Sequence, residues 1–199
     1  MKPYQTIVYD HIHAGERVID LGCGTGQLLK ELRHKKHCDG YGIDQAFDNV
    51  VQAIKEGLPV YHGDVLEGIR PFDDQVFDVA ILSQTLQQVL HPEQLLLEMT
   101  RIAKRVIITF PNFGHWRVRM HLCLKGVSPK TSQLPYDWYD TPNIRVITIQ
   151  EFRELCHRLN MTIIREIPSV TSPINRLIFP LRLTNLFAEK GIFVIQKHP

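Results

Sequence analysis

Apolar positions along this chain fall into two alternating periods. Arg17-Val18-Ile19-Asp20-Leu21 is a short apolar run that stops at glycines, as a buried parallel strand does on entering a ligand-binding turn. Ahead of it, Tyr4, Ile7, Val8 and Ile12 fit one face of a short helix over residues 4–13, with Gly15 placed to end it. Behind it, Leu28, Leu29 and Leu32 recur at helical spacing within 27–33. The alternation then repeats: a strand over 40–44 and a helix over 49–56, a strand over 60–64, and a strand over 77–82. A helix over 89–103 follows, with Leu95, Leu96 and Met99 inward, and then a strand over 105–110 ended by Pro111. Strands alternating with helices predict an α/β fold with a mostly parallel sheet and right-handed crossovers.

After Pro111 the texture changes. Residues 112–147 carry prolines, aromatics and basic side chains without a sustained period, which predicts a lid or an insertion facing an acceptor or partner. Thr148 with Glu151 three residues on predicts a capped helix start, continued by Phe152, Leu155 and Leu159. Residues 161–167 and 191–196 read as closing strands, and 173–189 between them is apolar but broken by Pro180. The whole of 1–199 is expected to form one domain. In it, 14–110 is the cofactor-binding half, 112–147 the insertion and 148–197 the closing elements.

Composition narrows this only a little. A chain of 199 residues with 44% hydrophobic and 22% charged side chains suits one ordinary globular core. Its net charge of +2 is too mild for a nucleic-acid partner, where a concentrated basic stripe is expected. Cys23, Cys38, Cys123 and Cys156 lie far apart, the pattern of reduced thiols rather than a disulfide frame. The start of the chain lacks a signal peptide's apolar core, and no run nears the roughly 20 apolar residues that span a bilayer. A cytoplasmic protein with no membrane partner is the expectation. His34 and His37 have no carboxylate or cysteine set to complete a metal site, so no metal is expected.

The chemistry concentrates in Asp20-Leu21-Gly22-Cys23-Gly24-Thr25-Gly26. Glycines at 22, 24 and 26 permit a tight strand-to-helix turn that a ligand can approach closely. The dinucleotide fingerprint needs a glycine where Gln27 stands, and a P-loop needs Lys-Ser/Thr after its glycines, so the spacing argues against both pyrophosphate readings. Apart from one another, such glycines and acids also suit ordinary turns; together they say more. Asp44 is placed to accept hydrogen bonds from both hydroxyls of a ribose, and Asp64 to meet the exocyclic amine of an adenine. Asp20 falls near the amino-acid end of such a ligand. Three carboxylates suit a ligand bearing a sulfonium and an ammonium, and repel a pyrophosphate.

This set resembles the class I S-adenosylmethionine-dependent methyltransferase superfamily over nearly the whole chain. The resemblance implies a Rossmann-like fold: a mostly parallel seven-stranded sheet with helices on both faces and an antiparallel C-terminal strand. It implies S-adenosyl-L-methionine or S-adenosyl-L-homocysteine as the cofactor. Asp20, Gly22, Cys23, Gly24 and Gly26 would hold it from the first loop. Asp44 with Gln45, Asp64 with Val65, and Ser83 near the methionine portion would complete the set.

A closer resemblance rests on three stretches: residues 73–89, Phe110-Pro111-Asn112-Phe113-Gly114-His115-Trp116-Arg117-Val118-Arg119, and residues 134–145. These resemble the methionine biosynthesis protein MetW family, over residues 14–197. That likeness implies a role beside homoserine O-acyltransferase, assisting the activation of homoserine. The alternative is an active methyltransferase on a small-molecule acceptor, for which the residues assign no catalytic group. Ser83-Gln84-Thr85-Leu86-Gln87-Gln88 is neutral and lacks the Asn-Pro-Pro-Tyr of amino-group DNA methylases. His115, His121 and Asp140 are the available bases, though the histidines equally suit a packed lid or an interface. Arg117, Arg119 and Arg145 suit a carboxylate substrate, an acidic partner or plain solvation. Trp116, Tyr136, Trp138 and Tyr139 suit an interface or a local core.

Overall fold

The computed structural model describes residues 3–131, 134–167, 169 and 183–198. Strand alternation divides the apolar side chains between two faces. Val18, Val79, Ile81, Ile107 and Val194 pack on one face with Val8 of α1 (Pro3–Asp10), Ile12 just beyond it, Leu28, Leu29 and Leu32 of α2 (Gln27–Lys36) and Ala53 of α3 (Phe47–Lys55). Ile19, Leu21, Ala80, Leu82, Val106 and Ile108 pack on the other. There they meet α4 (Val65–Ile69), α5 (Pro92–Ile102) and α7 (Ile149–Arg158). Helices therefore cover both faces.

Seven strands form the sheet: β1 (Arg17–Leu21), β2 (Asp39–Asp44), β3 (Val60–His62), β4 (Phe77–Ser83), β5 (Ala103–Pro111), β6 (Met161–Glu166) and β7 (Lys190–Lys197). Their order is β3-β2-β1-β4-β5-β7-β6, and β7 alone runs opposite to the other six. The order reverses between β1 and β4, and the carboxyl ends of those two strands frame a crevice where ligands of open α/β sheets bind.

Several element ends differ from the sequence pattern. α1 stops at Asp10, because His11 and Ile12 turn back to the carbonyl groups of Val8 and Tyr9. β3 ends at His62, and Asp64 leaves the strand to cap α4. The helix expected over 89–103 is the shorter α5, whose start is set by Pro92 in the first helical position, and a 3₁₀ turn (Leu86–Gln88) precedes it. Inside 112–147 lies a ten-residue helix, α6 (Trp116–Lys125), which the sequence pattern did not reveal. Thr148 and Glu151 form the expected capping box. Of the apolar stretch 173–189, residues 173–182 lie outside the described residues, and Thr184–Phe187 forms the short α8. No helix among the described residues is long and apolar enough to cross a membrane.

Candidate functional site

A cleft of about 1090 Å³ opens at the carboxyl ends of β1, β2 and β4. Asp20, Gly22, Cys23, Gly24, Asp44, Gln45, Asp64, Val65 and Ser83 line it, so nine of the ten residues expected from sequence are brought together there. Gly26 is placed differently. It begins α2 with φ 74°, and a Cβ on it would meet the Leu58 side chain rather than the cleft.

The glycine loop commits its amides internally. Gly22 and Cys23 donate to the Ile43 carbonyl at 2.8 and 3.1 Å, and Gly26 donates to the Cys23 carbonyl at 3.1 Å. Gly24 donates to Asp44 Oδ2 at 2.7 Å. A phosphate-binding loop keeps such amides free for its anion. Gly22, at φ 76°, passes so close to Thr85 that a Cβ there would lie 2.3 Å from its Oγ1. Gly24 faces open space.

Each acid has a distinct setting. Asp44 is buried; its Oδ1 accepts from the Ala46 amide at 2.9 Å and from Asn49 Nδ2 at 3.2 Å. Asp64 is exposed and accepts the Leu66 and Glu67 amides through Oδ1, leaving Oδ2 with a 3.3 Å contact from Gln45 Nε2. Val65, the first residue of α4, is buried beside it. Asp20 is buried, and its Oδ1 has no hydrogen-bond partner. Burial, with the Asp44 charge second, raises its carboxyl to about 7. Burial, then Asp20, also pushes the Tyr4 phenol upward. The Cys23 thiol is pushed far up, first by burial and then by Asp20 and Asp44, which leaves it inert as a nucleophile.

The strand-four end adds neutral groups. Ser83 Oγ pairs with Thr109 Oγ1 at 3.1 Å. Gln84 adopts φ 59°, a conformation that costs a non-glycine residue energy and clusters at functional sites. Its amide is held by the Thr109 carbonyl at 2.8 Å, and its carbonyl accepts Gln87 Nε2 at 2.7 Å. Gln87 is 3% exposed, and its Oε1, like Asp20 Oδ1, is a buried acceptor without a partner. The Gln87 carbonyl also accepts the Ile144 and Arg145 amides at 3.0 Å, and Arg145 Nη2 donates to the Leu90 carbonyl at 2.7 Å. These bonds pin the second half of the insertion beside the cleft, where Tyr136, Pro142 and Asn143 join the lining.

Tyr4, Gln5, Gln87 and Lys190 also line the cleft and were not singled out in the sequence. Tyr4 and Lys190 are far apart in the chain and meet only through the fold, with Lys190 Nζ 4.1 Å above the Tyr4 ring. Of the other candidates, Arg119 Nε braces the Gly114 carbonyl at 2.7 Å, and His115 caps α6. Trp138 and Tyr139 are 76% and 72% exposed, so they form no local core. Among the described residues no group of three or more His, Cys, Asp or Glu side chains is arranged to hold a metal.

Comparison with known proteins agrees with this geometry. A family model described as methionine biosynthesis protein MetW matches residues 2–195. The chain is 37% identical over 169 residues to the bifunctional methionine biosynthesis protein MetXA/MetW of Rhodopirellula baltica; the match covers 80% of this chain but 27% of that relative's length. It is 30% identical over 95 residues to the ubiquinone biosynthesis O-methyltransferase of Maricaulis maris, covering 45% of this chain and 37% of that one. Among solved structures it is similar to an S-adenosylmethionine-dependent methyltransferase, a possible histamine N-methyltransferase, of Thermotoga maritima. That likeness has a TM-score of 0.66 at 19% identity and covers 97% of this chain and 87% of the other.

Proposed function

The chain belongs to the methionine biosynthesis protein MetW family, and from that premise we propose that it assists a homoserine O-acyltransferase while holding S-adenosyl-L-methionine, or S-adenosyl-L-homocysteine, in its acid-lined cleft. The observation that carries the partner reading is the fusion of MetXA to MetW in one relative. A covalent link turns a bimolecular encounter into an intramolecular one, which matters where two chains must work together. We infer that the MetXA part is the acyltransferase.

The ligand reading rests on acceptors in need of donors. Asp20 Oδ1 and Gln87 Oε1 are buried without partners, and leaving such groups unpaired costs about 1–3 kcal/mol each. An α-ammonium group supplies donors for them. Asp44 would take a ribose hydroxyl, displacing its longest contact, from Asn49 at 3.2 Å. Asp64 Oδ2 would take an adenine amine. When bound, the sulfonium supplies an activated methyl group. The β4 side of the cleft, with Ser83, Gln84, Thr85, Gln87 and Gln88, is neutral and offers no general base, which favours the accessory role over methyl transfer.

Co-expression with a tagged homoserine O-acyltransferase tests the partner reading. The chain should remain bound through size exclusion; elution as a free protein would overturn it. A second reading, methyl transfer to a small acceptor, draws on the likeness to the ubiquinone O-methyltransferase. Release of S-adenosylhomocysteine on incubation with candidate acceptors would support it.

A further inference from the structure

A second cavity, of about 430 Å³, lies between the end of β5, α6 and the residues Lys130, Thr131, Leu134 and Glu189. Among the described residues only Pro111 lines both this cavity and the cofactor cleft. Pro111, Val118 and Leu134 give it an apolar floor, with Val118 and Leu134 buried. Asn112 contributes shape alone. Its Nδ2 donates to the carbonyls of Asn185 and Ala188, both at 2.8 Å, and its Oδ1 accepts from the amides of Gly114 and Ile149.

The remaining polar groups are mainly donors. His115 is 5% exposed, and its Nδ1 accepts the Arg117 amide at 3.3 Å. The ring proton therefore sits on Nε2, a donor at a buried wall. The Arg117 guanidinium has no ion pair among the described residues and lies 5.4 Å from the centre of the Trp116 ring. His121 lines the same wall, with Nδ1 buried and without a partner. Lys130 stands in the lining with its ammonium 2.6 Å from Asp137, and Glu189 is the carboxylate among the lining residues.

We propose that this cavity is a separate binding site for a small monocarboxylate with a short hydrocarbon chain. The carboxylate pairs with the Arg117 guanidinium and the His115 Nε2–H, and the chain lies on Val118 and Leu134. A guanidinium lacking a carboxylate partner favours an anion geometrically as well as electrostatically. A small apolar pocket with a few convergent polar groups is the usual form of a small-molecule site.

Ligand-observed NMR on the full chain tests it, with pentanoate, pentylamine and pentan-1-ol as probes and the His115 and His121 ring protons followed. Pentanoate should receive saturation and shift both rings, while the amine and the alcohol do not. Arg117→Gln, an exposed substitution, should weaken pentanoate binding roughly tenfold or more, as expected for a lost charge-assisted hydrogen bond. Its thermal melt should stay unchanged, which separates lost binding from lost folding. Equal response to the three probes, no response to pentanoate, or unchanged pentanoate affinity in Arg117→Gln would overturn the proposal.

Discussion

Asp44 Oδ2 accepts the backbone amide of Gly24 at 2.7 Å, so the acid at the end of β2 holds the glycine loop at the end of β1. The same carboxylate lines the cleft, so one side chain both shapes the loop and stands where the proposed ligand would bind.

Asp44→Ala removes both roles. Charge-assisted hydrogen bonds contribute about 1.5–3 kcal/mol, so calorimetry should find S-adenosylhomocysteine binding about 10- to 100-fold weaker. Affinity within twofold of the parent would show that Asp44 serves the loop alone.

Asp20 sets a pH dependence whose sign follows from its carboxyl, raised to about 7 by burial and then by Asp44. In the unfolded chain it titrates near 4. Between those values only the folded state keeps the proton, so stability is lost as pH rises through this window. Asp20→Asn should lack that decline in thermal melts. A ligand ammonium pairs with the ionised form, so S-adenosylmethionine affinity should rise roughly fivefold from pH 6 to pH 7 and release a proton below pH 7. A flat profile would separate Asp20 from the ligand.

Gly22 and Gly24 both have positive φ but different surroundings. Gly22→Ala adds a Cβ at 2.3 Å from Thr85 Oγ1 to the backbone strain, and should cost roughly 2–4 kcal/mol in denaturant unfolding. Gly24→Ala meets nothing within 4 Å and should cost about 1 kcal/mol. Equal losses would contradict the close approach at Thr85.

Arg145→Ala cuts the 2.7 Å bond to the Leu90 carbonyl and leaves the two amide bonds to Gln87. Limited proteolysis within 134–147 should speed up severalfold, while global stability changes by less than about 1 kcal/mol. Unchanged cleavage would mean that the Gln87 carbonyl alone fixes the segment.

The sheet was legible because its central strands are apolar runs with sharp ends, β1 stopping before Gly22, β4 before Gln84 and β5 at Pro111. The cleft acids were legible as types, but not their bonds. Nothing in the sequence ties Asp44 to Gly24, and Asp64 reads as a strand end although its Oδ1 caps a five-residue helix. α6 was hidden because its apolar residues Val118, Met120, Leu122 and Leu124 alternate instead of following the helical period. Only Val118 of these is buried, so no apolar stripe was there to read. Tyr4 and Lys190 at the cleft carry no local signal, since their meeting depends on where β7 enters the sheet.

The measurement closest to the central claim is the rate of acyl transfer to homoserine by the partner acyltransferase, with and without this chain. The rate should be faster or more sustained with the chain present, and should respond to added S-adenosylmethionine in a way that Asp44→Ala abolishes. An acylation rate indifferent to the chain, with and without the ligand, would contradict it.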